Sequence, residues 1–583
     1  MRVIATAGHV DHGKSTLVTA LTGTDPDRWD EEKVRGLTID LGFASTRLPS
    51  GAEISFVDVP GHGRFVTNML AGVSAVDACL FVVAATDGWK AQSEEHFRIL
   101  ELLGISRGLV ALTKVGGLDE ELCQFAALKV HEHLEGSFLA GAEMVFVDVL
   151  ANIGVDELRS ALDRLVAATP AAADRGRPRL WVDRSFAVRG AGTVVTGTLI
   201  DGPLSLNDKI ALEPSNRTVR VRSLETHHRS LQKAEPGRRL AVNLAGISHH
   251  EVLRGHVLVR PEQWHRTRVI DASLHVLASV EQPLTARGAF AVYIGSGDFP
   301  ARLRIIGGSR AINPGHDGAV RLWLRGQVPL PLLPGDHYVL RELGRSQTVG
   351  GGTVLDVDPI VSLLRATPDT SRERIVRERG WIEADKLERL TGQRSAPTIG
   401  RIVMTPTMLK AIRQEIVDAA RAGAEAGADL ASLSAIHRIV LAEGVPGVTI
   451  VNGRLTKVQQ RSGSLSPEAS RMLALLDAHP WAPPVTPITD RAALRELERQ
   501  HLAVQIGELW FSTTAIDAAV AVVSDLLDTL REGFSVAAAR VALGTTRKYV
   551  LPLLAYLDAS GVTRRKGDLR IAGPRMARSR QRP

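Results

Sequence analysis

Four apolar runs of strand length punctuate the first part of the chain: Val3-Ile4-Ala5, Ile54-Ser55-Phe56-Val57, Ala78-Cys79-Leu80-Phe81-Val82-Val83-Ala84-Ala85 and Leu109-Val110-Ala111-Leu112. After the first comes a glycine-bearing loop, then Thr16-Leu17-Val18-Thr19-Ala20-Leu21, which reads as the start of a helix. Unbroken apolar runs of this length predict buried strands, and with a helix between them an α/β domain. From Leu180 the texture changes to short alternating strands broken by Gly, Asn, Asp and Pro, the pattern of all-β domains. Trp181-Val182-Asp183-Arg184-Ser185-Phe186 opens the first, and Gly192-Thr193-Val194-Val195-Thr196-Gly197-Thr198 continues it. A second β unit runs from about Arg268 to Pro359.

Past residue 360 the period becomes helical. Glu373–Leu390, Leu409–Ala420 and Ser466–Ala478 are amphipathic patches separated by Gly/Pro-containing stretches. In the last unit, Ser535 can cap a helix through Leu543, and Gly544-Thr545-Thr546 turns the chain. A second helix follows over Arg547–Ala559, with Val550, Leu553, Leu554 and Leu557 on one side; Pro552 predicts a kink or a late start. Val562-Thr563-Arg564-Arg565 and Leu569-Arg570-Ile571 then form a hairpin about Lys566-Gly567-Asp568. Helix, turn, helix and a basic hairpin make a winged helix, which lays a helix or its wing against nucleic acid.

Length and charge sharpen this picture. The 583 residues are too many for one core and predict roughly four to six domains. The two cysteines, Cys79 and Cys123, suggest neither a zinc site nor a disulfide framework. No apolar stretch approaches membrane-spanning length, and the chain enters a strand at once, so neither a membrane nor a signal peptide is expected and the location is cytoplasmic. The net charge of +7 is unevenly placed: residues 540–583 carry eleven Lys/Arg against Asp558 and Asp568, a net +9, leaving the rest at −2. A basic end on a nearly neutral body points to a polyanion.

The chemistry starts at Gly8-His9-Val10-Asp11-His12-Gly13-Lys14-Ser15, a G-x-x-x-x-G-K-S loop between a strand and a helix. In that setting backbone N–H groups and the helix start, Thr16 included, cradle phosphates; Lys14 reaches the outer ones and Ser15 takes a Mg²⁺ position. Thr38, in Arg35-Gly36-Leu37-Thr38-Ile39-Asp40, is placed to close over Mg²⁺ and the γ-phosphate. Asp58-Val59-Pro60-Gly61-His62 supplies a carboxylate for Mg²⁺ beyond its direct ligands, the Gly61 N–H for the γ-phosphate, and His62 to orient the attacking water. Together these strings resemble the translational GTPases, the family of elongation factor Tu. The resemblance implies a doubly wound sheet, GTP hydrolysis as a timing switch, and a hydrophobic gate for which Val10 and Ile39 stand in the matching places. One letter departs. Where the family has N/T-K-x-D, this chain reads Thr113-Lys114-Val115-Gly116, so the guanine-reading aspartate is a glycine; Thr113 and Lys114 remain. Asp119 is the substitute that a rebuilt loop would bring, and the following base-contact motif is not readable within Val147-Asp148-Val149-Leu150-Ala151.

A GTPase domain and two small barrels resemble the tRNA-carrying factors over residues 1–359, but the chain runs on for about 220 residues more. With its winged tail it is similar to the selenocysteine-specific elongation factors. That resemblance implies an α/β P-loop GTPase domain (1–170), β-barrels over 178–265 and 266–360, then a tandem of winged helices (361–465 holding two, 466–514, and 515–574) and a basic tail, 575–583. It implies GTP and Mg²⁺, selenocysteinyl-tRNA, an mRNA hairpin (SECIS) beside a recoded UGA codon, the ribosome, no membrane, and a monomer. Matched residue by residue, Phe43, Asp183, Arg184 and Arg239 fall on the family's cationic pocket for the selenol, and Arg547, Lys548, Arg564, Arg565, Lys566 and Arg570 on its RNA-gripping unit. Two other readings stay open: an RNA-tethering protein with an impaired nucleotide switch, and a general tRNA or initiation factor of the same superfamily. Nucleotide affinity separates the first, aminoacyl-tRNA preference the second.

Overall fold

The computed structural model describes residues 1–26, 38, 40–62, 65–73, 75–227, 229–422, 428–451, 454–457, 465–484, 491–530 and 532–574. They divide into one unit built on residues up to Pro446 and another from Gly447 onward. The first unit begins with a six-stranded sheet of β1 (Arg2–Ala7), β2 (Gly42–Arg47), β3 (Glu53–Asp58), β4 (Ala78–Ala84), β5 (Gly108–Thr113) and β6 (Met144–Val147). Their order is β2-β3-β1-β4-β5-β6, all parallel except the edge strand β2. Every residue of β4 is buried, as a central strand covered on both faces requires.

Successive residues of β1 feed opposite cores. Ile4 packs with Leu17, Leu21, Leu158 and Leu162 from helices Lys14–Thr22 and Val155–Ala168. Val3 and Ala5 face Met69, Phe97, Leu100 and Val130 from Val66–Val73, Ala91–Leu102 and Glu120–Leu134. The sheet is therefore doubly wound. The loop after β1, Asp58 at the end of β3, Thr113 at the end of β5 and Asp148 just past β6 all gather at its carboxyl edge, where such sheets bind ligands.

Two closed six-stranded barrels follow. In the first, Lys209–Glu213, Val257–Val259, Arg179–Trp181, Gly192–Ile200, Arg238–Ala245 and Arg217–Thr226 pair in a ring that returns to its start. The second closes through Val269–Val276, Asp317–Leu324, Gly297–Ile305, Phe290–Ile294, His337–Glu342 and Gln347–Asp356. One buried guanidinium joins them: Arg179 donates to Asp201 at 2.8 Å and to Asp336, on the second barrel, at 2.6 Å.

The patch expected over Glu373–Leu390 is two helices, Arg372–Arg379 and Ala384–Thr391. Gly380, at φ 75°, ends the first, and the strand Trp381–Glu383 between them pairs with Ile402–Met404. This positive-φ glycine breaks a period that the apolar spacing alone carries straight through. The longer helix Pro406–Ala422 covers the next patch.

In the second unit, Pro467–Ala478, capped by Ser466, and Arg491–Arg499 precede the hairpin Ala503–Ile506/Leu509–Ser512. The pattern then repeats after the helix Thr513–Thr529. Val536–Ala542, capped by Ser535, and Arg547–Ala559 stand against a three-stranded sheet of Phe534–Ser535, Leu569–Ala572 and Thr563–Lys566. This is a winged helix. Its second helix starts at Arg547 with Pro552 inside it, so the late start is not taken. Among the described residues no helix is long and apolar enough to cross a membrane.

Candidate nucleotide site, pocket and basic wing

The phosphate loop leaves β1 and turns with Asp11 at φ 64° and Gly13 at φ 87° before the helix begins at Lys14. Its first N–H, on Gly8, donates to His96 Nδ1 at 3.2 Å. Lys14 is buried, and its Nζ donates to the carbonyls of Gly8 (3.2 Å) and His9 (2.8 Å), so the ammonium lies in the mouth of the loop. Val10 is half-buried, and Thr16 is exposed on the first turn. Burial lowers the pKa of two nearby imidazoles, His12 to about 4 and His96 to about 3, and both rings are neutral at pH 7.

Three residues separated in sequence meet beside that helix start. Ser15 Oγ lies 2.9 Å from Thr38 Oγ1 and donates to Asp58 Oδ2 at 2.7 Å; Asp58 Oδ1 accepts from Thr6 at 2.5 Å. Two hydroxyls and a carboxylate are hard oxygen donors, and this set fits Mg²⁺. Gly61 closes over the loop so tightly that a Cβ there would sit 2.6 Å from both Lys14 Nζ and the Val10 nitrogen. His62 follows, half-buried, its ring 6.0 Å from that of Phe65. Ile39, the second gate residue, lies outside the described residues, as do Arg35, Gly36 and Leu37.

On the base side, Thr113 Oγ1 donates to the His12 carbonyl at 2.7 Å, fastening β5 to the phosphate loop. Lys114 sits at φ 60° with its ammonium 3.3 Å from Asp87. Asp119 does not turn toward this site. It caps the helix Glu120–Leu134, accepting the Leu122 N–H at 2.8 Å, so its carboxylate is committed to a helix terminus. The carboxylate that does stand at Gly116 is that of Asp148, which accepts the N–H groups of Gly116 and Ala151, each at 2.9 Å. Sequence reading passed over it because its motif was unreadable; an acid directly after the last strand was the available signal.

Phe43, Asp183, Arg184 and Arg239 come together where the sheet meets the first barrel. Arg239 stacks 3.3 Å over the Phe43 ring and grips Asp183 with both terminal nitrogens, at 2.6 and 3.0 Å. Arg184 lies 4.7 Å from the same ring, donates to Asp40 at 3.1 Å and also bonds the Leu41 carbonyl. Thr196 donates to Asp183 at 2.7 Å. Beside them opens a cavity of about 200 Å³ lined also by Glu225 and His227, two residues not anticipated; His227 Nε2 is 2.7 Å from Ser55 Oγ.

In the last winged helix Arg547, Lys548, Arg564, Arg565 and Lys566 are exposed, along the start of the second helix and one strand of the wing. Arg570 is different. It is buried, and its Nε donates to Asp558 at 2.9 Å while Asp558 also accepts from Thr563, so this arginine braces the wing instead of facing outward. The basic tail 575–583 lies outside the described residues.

Residues 1–168 match the family described as Elongation factor Tu GTP binding domain, 192–259 Elongation factor Tu domain 2, and 525–572 Elongation factor SelB, winged helix. The selenocysteine-specific elongation factor of Desulfomicrobium baculatum is 31% identical, covering 97% of this chain and 99% of its own. That of Escherichia coli K12 is 36% identical over 65% of this chain and 61% of its own. A solved bacterial selenocysteine-specific elongation factor, EF-Sec, superposes with a TM-score of 0.67 at 27% identity, covering 98% of this chain and 99% of that one. With the doubly wound nucleotide domain, two barrels and a C-terminal winged helix, these likenesses establish that the chain belongs to the selenocysteine-specific elongation factors, which are translational GTPases.

Proposed function

We propose that this GTPase carries selenocysteinyl-tRNA to the ribosome at a recoded UGA codon while its C-terminal winged helix holds an mRNA hairpin. The observation that carries the reading is the pair of arginines against Phe43 and Asp183 at the junction of nucleotide domain and first barrel. A selenol, more acidic than a thiol of pKa about 8.5, is ionised at neutral pH, and a cationic, partly desolvated pocket favours that anion over the neutral hydroxyl of serine. Arg239 is held ready by Asp183, and Arg184 by Asp40.

In this reading Gly8–Thr16 and the Gly61 N–H hold the triphosphate, and Ser15, Thr38 and Asp58 hold Mg²⁺, which neutralises phosphate charge when bound. Thr113 fixes the base-side strand to the loop, and Lys114 lays its stem along the base. His62 orients the attacking water once the ribosome positions it. Arg547, Lys548, Arg564, Arg565 and Lys566 contact RNA phosphates. A cytoplasmic monomer fits these roles.

The test is protection of the aminoacyl ester by the GTP-bound chain, with selenocysteinyl-, cysteinyl- and seryl-tRNA in parallel. Selenocysteinyl-tRNA should be preferred, and Arg239→Ala should reduce that preference by about ten- to a hundredfold, the worth of one lost charged hydrogen bond. Equal protection of seryl-tRNA by the wild-type chain would refute the cargo assignment.

A further inference from the structure

Position 116 lacks the family's carboxylate, but the space beside it holds one. A Cβ built on Gly116 would lie 2.9 Å from Asp148 Oδ2 and 3.0 Å from its Cγ. An aspartate at 116 would carry its own carboxyl carbon about 1.5 Å from that Cβ, one ordinary C–C bond away. Asp148 thus brings a carboxylate within about 4.5 Å of the one an aspartate at 116 would hold, from the neighbouring strand end, past β6 instead of past β5.

The carboxylate is also prepared for a ligand. Its two anchoring bonds use one acceptor position on each oxygen: Oδ1 takes the Ala151 N–H and Oδ2 the Gly116 N–H. A carboxylate offers about four such positions, and with the Leu150 N–H also turned toward it at least one remains for a ligand. Asp148 is only half-buried, and the Ala151 and Gly116 N–H groups hold its pKa below the usual carboxylate value, so it is ionised at neutral pH. Of the retained letters of the base-reading motif, Thr113 ends the adjacent strand and Lys114 follows it.

We infer that Asp148 is the specificity-determining carboxylate of the nucleotide site, replacing across the loop the aspartate lost at Gly116 and selecting guanine. Two parallel acceptors match the two adjacent donors of guanine, its ring N1–H and 2-amino group. Adenine presents a bare ring nitrogen there and is repelled; inosine offers one donor, and xanthine turns the second into an acceptor. The assignment rests on the reading that the Gly8–Ser15 loop holds the triphosphate.

The experiment is equilibrium binding of GTP, ITP, XTP and ATP to the full chain, to Asp148→Asn, to Gly116→Asp, and to Gly116→Asp combined with Asp148→Ser. The wild-type chain should prefer GTP over ITP by about ten- to a hundredfold, one charged hydrogen bond's worth. Asp148→Asn should abolish that preference and raise XTP affinity, because the amide NH₂ donates to the 2-oxo group. Gly116→Asp alone should weaken GTP binding, since it crowds two carboxylates together. The double variant, with the acid back on residue 116, should recover the GTP preference. A residue that merely braces the loop would lower all four nucleotides equally in Asp148→Asn. That outcome overturns the assignment, as does wild-type binding blind to the base. Binding of none of the four to the wild-type chain would instead remove the phosphate-loop reading, and the assignment with it.

Discussion

At the scale of single residues, the nucleotide site is controlled by close approach. Gly61 has no room for a methyl group between Lys14 and the Val10 backbone. Gly61→Ala should therefore displace the loop that carries His62 and slow ribosome-stimulated GTP hydrolysis about a hundredfold, the usual penalty for ångström-scale misplacement; single-turnover kinetics measures it. The buried imidazoles set a pH limit. His12 and His96 are neutral in the fold, with native pKa values of about 4 and about 3, while an unfolded histidine titrates near 6.5. Below pH 6.5 the unfolded chain binds more protons than the native one, so stability is full above that pH and falls as pH drops. The slope is at most about 1.4 kcal/mol per pH unit for each ring. Denaturant midpoints between pH 7.5 and 4.5 should show this, and His96→Asn, which retains an acceptor for the Gly8 N–H, should make the slope shallower by at most about 1.4 kcal/mol per pH unit. Much of the site was legible residue by residue, because the G-x-x-x-x-G-K-S loop and D-x-P-G-H carry their chemistry in fixed local spacing. Asp148 was not, because its function depends on a contact with a backbone N–H 32 positions away.

Elements were legible where one periodicity ran between clear stops, and less so where a turn interrupts it. Ser466 and Ser535 both cap the helices they were read to start, accepting the N–H groups of Ala469 and Ala538. Gly380 cuts a patch that apolar spacing alone runs straight through. In the last winged helix, sequence grouped six basic residues that the structure sorts into two kinds. Arg564→Ala and Arg565→Ala should weaken RNA-hairpin binding and flatten its salt dependence without changing stability. Arg570→Ala should unfold the wing more easily, by about 1–3 kcal/mol, because Asp558 loses its charged partner. Thermal denaturation beside hairpin binding at two salt concentrations separates the effects.

Across the first unit as a whole, charge holds domains together. Arg374 is buried between Asp356, at the end of the second barrel, and Glu378 on its own helix, at 2.8 and 2.7 Å. Arg179 does the same between the barrels. Removing such an arginine leaves buried carboxylates uncompensated, a loss of about 3–5 kcal/mol. Arg179→Ala should accordingly split the unfolding of the two barrels into separate calorimetric transitions. None of these pairings was visible in sequence, where each arginine looks like an ordinary surface charge. Beyond the Arg179 clamp, the barrels rest on the nucleotide domain at several places: Arg184 on Asp40, Arg239 on Phe43, His227 on Ser55, Arg229 on Glu53, Arg254 on Asn68, and Arg341 with Thr348 on Glu95. Of these footholds the one at Asp40 lies two residues from Thr38, so a shift of that threonine tugs first on Arg184, the way a tent feels the guy rope nearest the disturbed peg.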